Sequence, residues 1–186
     1  SIKIEKSKVL IALKQLDDAE KCLKEAYKID PLNQNLYSKF GYLYTERKDL
    51  DEAILWLKKG ADIGSKEFSV NKVLADIYVK LASCYNEKNN HQKSVEVLKK
   101  LVKLDVDFPR GHGLLYYSSL LCCDWSKLDE FMKKSISFLN DNKFAMSTFL
   151  SILVSDDPKL HYDCAKVAAK GFLKKNKFSE NKFSDY

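Results

Sequence analysis

The chain has 186 residues, which is enough for one or two domains with a sizeable core. With 45% hydrophobic and 31% charged residues, and only 3 prolines and 6 glycines, the composition excludes a disordered or loop-rich β protein. The net charge of +6 is dispersed over segments that also carry Asp or Glu, which disfavours a nucleic-acid binder with one basic face.

Residues 4–31 predict a first helical hairpin whose first helix is truncated. Leu10 and Leu13 fall on one face of that helix, and the apolar stripe of the second helix continues to Ile29. Pro31 ends the hairpin, because proline cannot continue a helix.

Residues 35–63 predict a second hairpin with a more specific pattern. Large and small residues alternate in a fixed order along its two helices, at Tyr37, Phe40, Gly41, Tyr44, Ala53 and Leu57. Gly41 and Ala53 leave room where the two helices cross, and the large residues fill the gaps beside them. This order resembles the tetratricopeptide repeat (TPR), a 34-residue helical hairpin. The resemblance implies an all-α, right-handed α-solenoid, because one such hairpin cannot bury its apolar face alone.

The same pattern returns at residues 75–108 and predicts a third hairpin. Tyr78, Ala82 and Tyr85 take the aromatic and small positions of its first helix. Residues 66–74 do not fit the 34-residue period, so they are interpreted as an insertion that extends the next helix.

The C-terminal part departs from the repeat pattern. A degenerate fourth hairpin is followed by a short helix and by a last helix that starts at Pro158, with Asp156 and Asp157 as capping residues and Phe172 turned inward. The predicted domains are three TPR-like repeats in residues 1–109, a degenerate hairpin with two further helices in 110–175, and a linker or disordered tail in 176–186.

Two C-terminal segments carry a further resemblance. Residues 122–126 read Cys-Cys-Asp-Trp-Ser before an acidic and aromatic helix, and residues 155–158 read Ser-Asp-Asp-Pro. Together, after a TPR array, they resemble the segment that leads into the catalytic domain of TPR-containing protein O-GlcNAc transferases. The resemblance implies a substrate-recruiting region. No catalytic residue and no cofactor is expected in this chain, because it contains neither a glycine-rich phosphate loop nor alternating strands and helices.

A partner-binding site is predicted in the concave groove of the second and third hairpins. Amide and lysine side chains there would bind an extended or acidic peptide through hydrogen bonds and charge. The alternative is an ordinary solvated helix surface. The same register also places Ser38, Thr45, Asp76 and Val79 in the groove. The predicted partner-binding residues are Asn35, Lys39, Tyr42, Lys80, Ser83 and Asn86.

Other reactive residues have simpler explanations. His112, Cys122 and Cys123 lack the paired spacing of a zinc site, so buried thiols are expected and no metal site is predicted. His161 and Cys164 share a helix face, but no third group is predicted to orient the imidazole, and a nucleophilic pair is disfavoured.

Localisation is predicted from the apolar segments and the cysteines. No segment approaches the roughly 18 apolar residues of a membrane span, and the charged start does not resemble a secretory signal. The five cysteines are an odd number without the spacing of a disulfide framework, which is typical of a reducing compartment. We therefore expect a cytoplasmic protein with no membrane partner.

The sequence is consistent with two functions. One is a non-catalytic TPR region that recruits protein substrates or partners for an O-GlcNAc-transferase-like enzyme, and the other is a free-standing TPR scaffold for complex assembly. Both imply a protein or peptide partner in the groove and no catalysis by this chain alone. A small enzyme that uses His112 or His161 is the weakest alternative.

Overall fold

The computed structural model describes residues 2–64, 72–105 and 108–175, and over these ranges it contains helices and no strand. This confirms the predicted all-α solenoid of helical hairpins. The predicted tail and residues 66–71 of the predicted insertion lie outside the described ranges. The helices are α1 (Ile2–Ala12), α2 (Leu16–Ile29), α3 (Gln34–Glu46), α4 (Leu50–Gly64), α5 (Lys72–Glu87), α6 (His91–Leu104), α7 (Pro109–Leu121), α8 (Leu128–Asn140), α9 (Thr148–Val154) and α10 (Pro158–Lys175).

The chain divides into two compact units, residues 1–106 and residues 107–186. In the first unit α1–α2, α3–α4 and α5–α6 pair as hairpins, and α2 and α4 also pack on the first helix of the next hairpin. The first helices α1, α3 and α5 lie side by side. In the second unit α7 pairs with α8, and α10 packs against α9 and α8. The domain bounds derived from the sequence stay a prediction.

Each hairpin turn of the first unit contains one residue in the left-handed conformation. Lys14, Lys48 and Asn89 have φ angles of 61°, 64° and 56°. At Lys48 the backbone N–H donates to the Thr45 carbonyl at 3.0 Å, which helps to satisfy the last carbonyls of α3. Lys14 and Lys48 are separated by one 34-residue period, whereas Asn89 follows Lys48 after 41 residues. The longer interval confirms an insertion between the second and third hairpins.

The α3–α4 crossing shows why the repeat needs a small residue. A Cβ on Gly41 would lie 2.4 Å from Cδ2 of Leu57, so any side chain there would have to displace the buried Leu57 side chain. Beside this crossing, the Phe40 ring stacks on Trp56 with centroids 4.0 Å apart. Phe40 and Leu57 are fully buried. The predicted roles of Gly41 and its large neighbours are therefore confirmed.

Three apolar side chains that were predicted to face the core are exposed instead. Leu13, Ile29 and Phe172 have exposed fractions of 63%, 72% and 62%. Leu13 lies beyond the end of α1 at Ala12, Ile29 is the last residue of α2, and Phe172 lies in the last turn of α10. Helical spacing identifies a face, but it does not show whether a neighbouring helix reaches the end of that face.

The turn between α7 and α8 contains the first of the two segments that resemble O-GlcNAc transferases. Cys123 has a φ of 54°, and Oδ1 of Asp124 accepts hydrogen bonds from the Ser126 N–H at 3.2 Å and the Ser126 hydroxyl at 2.6 Å. Cys123 is exposed and Cys122 is half-buried, so the expectation of buried thiols is wrong here. Trp125 is 66% exposed and does not pack in the turn. The Asp124 bonds form a local side-chain turn.

The second segment begins α10. Oδ1 of Asp157 accepts a hydrogen bond from the Lys159 N–H at 2.9 Å, which confirms the predicted capping role of Asp157. Ser155 Oγ in turn accepts from the Asp157 N–H at 3.1 Å. Both segments therefore have a local structural role at helix ends. No helix in the described part of the chain is both long and apolar enough to cross a lipid bilayer.

A group of charged side chains links the first two hairpins. Arg47, which caps α3, contacts Glu20 at 2.5 Å and Asp17 at 2.6 Å on α2. Glu20 also accepts hydrogen bonds from Tyr44 at 3.0 Å and forms an ion pair with Lys24 at 2.7 Å. Partial burial raises the pKa of Glu20, but the bonds from Lys24, Arg47 and Tyr44 outweigh it and lower that pKa to about 2. Burial and the hydrogen bond to Glu20 raise the pKa of Tyr44 to about 12.

This arrangement predicts an acid-sensitive first unit. Because the folded-state pKa of Glu20 lies below the ordinary value of 4.5, its stabilisation is complete above pH 4.5 and is lost as the pH falls towards 2. We expect wild type to exceed Glu20→Gln in unfolding free energy by about 2 kcal/mol at pH 6, and the two proteins to converge near pH 2. Urea unfolding of the first unit across this pH range measures the difference. An equal difference at pH 6 and pH 2.5 would contradict the assignment.

Candidate functional site

The candidate site is the surface formed by α1, α3 and α5, which we call the inner face. These three helices are the first helices of consecutive hairpins and pack directly on one another. All six predicted partner-binding residues lie on α3 or α5. Their surroundings differ between the two helices.

Three predicted residues on α3 form an accessible row. Asn35, Lys39 and Tyr42 are spaced by four and three residues, so they share one helix face. Asn35 is exposed, Lys39 is half-buried and Tyr42 is 36% exposed. The Tyr42 hydroxyl reaches the Glu46 carboxylate, which also pairs with Lys14 from the first hairpin. The row therefore ends at a charged pair that joins two repeats.

Lys80 on α5 is already engaged within the protein. Its ammonium group contacts Oδ1 of Asp76 at 2.8 Å, and the hydroxyl of Ser38 on α3 donates to Oδ2 of Asp76 at 2.7 Å. Burial raises the pKa of Asp76, but the bonds from Lys80 and Ser38 and the charge of Lys39 outweigh it and hold that pKa below its usual value. Asp76 is therefore an ionised link between α3 and α5, and Ser38 is buried beneath the inner face rather than presented on it.

The remaining predicted residues also have local partners. The Ser83 hydroxyl donates to the Val79 carbonyl at 3.0 Å, and Oδ1 of Asn86 lies 3.1 Å from Nδ1 of His91. Val79 is only 4% exposed, so its predicted place in the groove is wrong. The side chains of α5 thus stabilise their own region, whereas those of α3 remain accessible. The sequence register places Asp76 in the groove but does not assign its pairing with Lys80, although a spacing of four residues on a helix favours such a pair.

The described residues also include histidine and cysteine side chains of the kinds that act in catalysis or metal binding. No cluster of three or more His, Cys, Asp or Glu side chains within these ranges could hold a metal ion. Nε2 of His161 lies 2.9 Å from the Ser155 carbonyl. Cys164 is fully buried, and burial raises the pKa of its thiol more than the bond from Ser151 lowers it. A protonated, buried thiol is a poor nucleophile.

The second unit contains a separate cavity of about 310 Å³. One wall is a face of α7, where Arg110, Gly113 and Tyr117 follow one another at helical spacing. The opposite wall is the segment before α9 together with the start of that helix, residues 144–150. The cavity is mainly apolar, and it depends on the close approach of this segment to α7.

The helical repeats belong to a known family. Two family models described as tetratricopeptide repeat match residues 10–77 and residues 75–107. Residues 10–107 of the chain form tetratricopeptide repeats. Together the two matches include every helix from α2 to α6, among them α3 and α5 of the inner face. Both matching models describe this repeat, and neither describes a glycosyltransferase.

Solved structures of TPR proteins share the fold. A crystal structure of MamA is 20% identical over 98% of this chain and 94% of its own, with a TM-score of 0.60. The MamA RS-1 ArsTM double mutant is 14% identical over 96% of both chains, with a TM-score of 0.61. A kinesin light chain from Podospora anserina with nearly identical TPR-like repeats is 13% identical over 95% of both chains, with a TM-score of 0.65. At these identities the likeness shows the fold alone. No curated protein matches the sequence.

Proposed function

We propose that this TPR protein is a scaffold that binds an extended segment of a partner protein on its inner face. The observation that carries the proposal is the accessible row on α3. Asn35 offers an amide, Lys39 a positive charge and Tyr42 a ring with a hydroxyl, all on one face. Side chains of these types recognise a peptide backbone and its acidic side chains.

The lateral contacts of the inner face support this role. Ser38, Asp76 and Lys80 tie α3 to α5, and Lys14 with Glu46 ties α1 to α3. Such links hold the accessible row on a rigid support, which lowers the entropy lost when a segment binds. In TPR arrays the first helices line the concave side of the superhelix, where an extended segment can contact several repeats at once. We place the scaffold in the cytoplasm, where its five free thiols would stay reduced.

The experiment compares two matched double variants of the whole chain. Peptides selected from a random-sequence display library against wild type serve as the probes. Lys39→Glu with Tyr42→Ala alters the accessible row, while Lys58→Glu with Leu55→Ala makes the same kinds of change on α4, where Leu55 is 44% exposed. We expect the inner-face variant to weaken binding at least ~10-fold, which is about 1.4 kcal/mol, and the α4 variant to bind as wild type does. Equal binding by all three proteins would remove the inner face as the site.

A second candidate function rests on residues 122–126 and 155–158. Their resemblance to protein O-GlcNAc transferases favours a role as the recruiting region of such an enzyme, in which the array raises the concentration of acceptor protein near a separate catalytic domain. The helix-end contacts of Asp124 and Asp157 provide a local reason for the same residues. Reading the coding sequence past Tyr186 tests the idea. An α/β sugar-nucleotide domain there would support recruitment, and any other continuation would leave the scaffold alone.

A further inference from the structure

The three TPR hairpins allow α1 to be compared with α3 and α5 position by position. The left-handed residues Lys14, Lys48 and Asn89 mark the same place in each hairpin and therefore set the register. Counting back from these residues pairs each position of α1 with one position of α3 and one of α5. Both α3 and α5 are covered by a preceding hairpin, whereas α1 is the first helix of the described array.

The first equivalent position is apolar in all three helices. It is occupied by Ile2 in α1, Leu36 in α3 and Ile77 in α5. Leu36 is 1% exposed and Ile77 is 0% exposed, but Ile2 is 88% exposed. Ile77 packs at Gly60 of the preceding second helix, where an added Cβ would lie 3.0 Å from its Cδ1. Ile2 is therefore an apolar residue at a position that is buried in α3 and α5, and in α5 a preceding second helix covers it.

The next equivalent position, one and a half to two turns later, shows the same contrast. Val9 is 58% exposed, while its equivalents Leu43 and Cys84 are 0% and 1% exposed. Cys84 lies 3.5 Å from the Thr45 hydroxyl on the preceding first helix. This position is therefore covered by the first helix of the preceding hairpin, so both helices of a hairpin are needed to bury the pair.

The third position distinguishes α1 from the internal interfaces. In α3 and α5 the position is basic, and Arg47 pairs with Asp17 just as Lys88 pairs with Asp51. The equivalent residue of the first hairpin is Leu13, which directly follows α1 and is 63% exposed. Terminal repeats of stable arrays present a polar outer face, which α1 lacks at all three positions.

We propose that Ile2, Val9 and Leu13, the α1 face, bind a further TPR hairpin that stacks in the same register as the internal hairpins. Its second helix would carry small residues where α2 carries Ala19 and α4 carries Ala53, because these positions let the helices approach closely. Opposite Leu13 it would carry an apolar residue in place of Asp17 or Asp51. An acidic residue there would have no cation opposite it, because Leu13 stands where Arg47 and Lys88 pair with Asp17 and Asp51.

A second copy of this chain is a poorer fit to the α1 face. In a copy, α2 and α4 each pack both in their own hairpin and on the next first helix, so neither could cover the α1 face. Symmetric pairing of two copies would place α1 against α1. With 11 residues, α1 is roughly 16 Å long. Two such helices crossing would bury well below the roughly 1,200–2,000 Å² of a stable interface.

The test adds a hairpin to the full chain. A second copy of residues 2–34, with Asp17→Leu in the added copy, is fused directly before Ser1. It places a second α2, with its native connection, over the original α1 and an apolar residue opposite the original Leu13. We expect the melting temperature of the first unit to rise by roughly 5 °C or more. We also expect amide exchange across the original α1 to slow at least ~10-fold.

Ile2→Lys with Val9→Lys in the original α1 provides the control. In the parent chain these substitutions are expected to change the melting temperature by no more than about 2 °C, because both side chains are exposed. In the fusion they are expected to abolish the gain in melting temperature and in protection. A fusion without either gain would overturn the proposal. So would a concentration-dependent dimer of the parent chain that Val9→Lys dissociates, since a second copy would then cover the face.

Discussion

Replacing Gly113 with alanine is expected to destabilise the second unit by about 3 kcal/mol. A Cβ at this position of α7 would lie 1.8 Å from the carbonyl oxygen of Ala145 and 2.8 Å from its carbonyl carbon. Both atoms belong to the backbone, so no change of rotamer relieves the contact. Either α7 or the segment around Ala145 must move, and Ala145 and Met146 are 3% and 1% exposed. That movement would uncover part of the apolar core and deform the cavity beside α7.

The measurement is denaturant unfolding of the full chain followed by hydrogen exchange, which resolves the two units. Gly171→Ala in α10 is the control, because nothing lies within 4 Å of a Cβ at that position. It is expected to stabilise the second unit by about 0.5–1 kcal/mol, since alanine favours a helix interior over glycine. Unchanged protection of α7 and α8 in Gly113→Ala would show that the segment before α9 does not rest on α7.

Phe40→Ala is expected to cost the first unit about 3–5 kcal/mol, the usual range for a fully buried aromatic side chain. Phe40 is 0% exposed and stacks on Trp56 with an interplanar angle of 16°. Its ring also stacks on Tyr44 with centroids 6.4 Å apart. The substitution would leave a cavity beside the α3–α4 crossing and would also remove the aromatic pairs.

Trp56 provides the signal for this experiment. We expect a lower midpoint of unfolding and a shift of the native Trp56 emission to longer wavelength, because water can enter the space beside the indole. Phe149→Ala is the control, since Phe149 is 67% exposed and its loss should change stability by no more than about 0.5 kcal/mol. Equal midpoints for the two variants would contradict the assigned role of Phe40 in the core.

Lys39 and Lys80, the two lysines predicted on the inner face, have different surroundings. Lys39 and Lys80 occupy the same place in successive repeats, yet only Lys80 has a carboxylate four residues before it on its own helix. Asp76 therefore holds Lys80, whereas Lys39 acts on Asp76 only through its charge. A partner segment would meet the charge of Lys39 more directly, which is why the proposed variant changes that residue.

The two segments that resemble O-GlcNAc transferases, residues 122–126 and 155–158, have a local structural explanation. Asp124 and Asp157 satisfy backbone N–H groups at a turn and at a helix start. Short acidic and hydroxyl side chains are favoured at such places in any helical protein. The residues that suggested a glycosyltransferase therefore have a local structural function, and the matching family models describe the TPR array alone.

The sequence by itself determined the helical hairpins, their register and the crossing at Gly41, because these depend on residues close together in the chain and on the 34-residue period. It also determined the cap at Asp157. Only the tertiary structure decided which inner-face side chains remain accessible, since the bond from Ser38 to Asp76 joins residues on different helices. The structure likewise decided that Leu13, Ile29 and Phe172 are exposed. Periodicity gives the direction of a side chain relative to its own helix, whereas burial depends on whether another helix lies on that side.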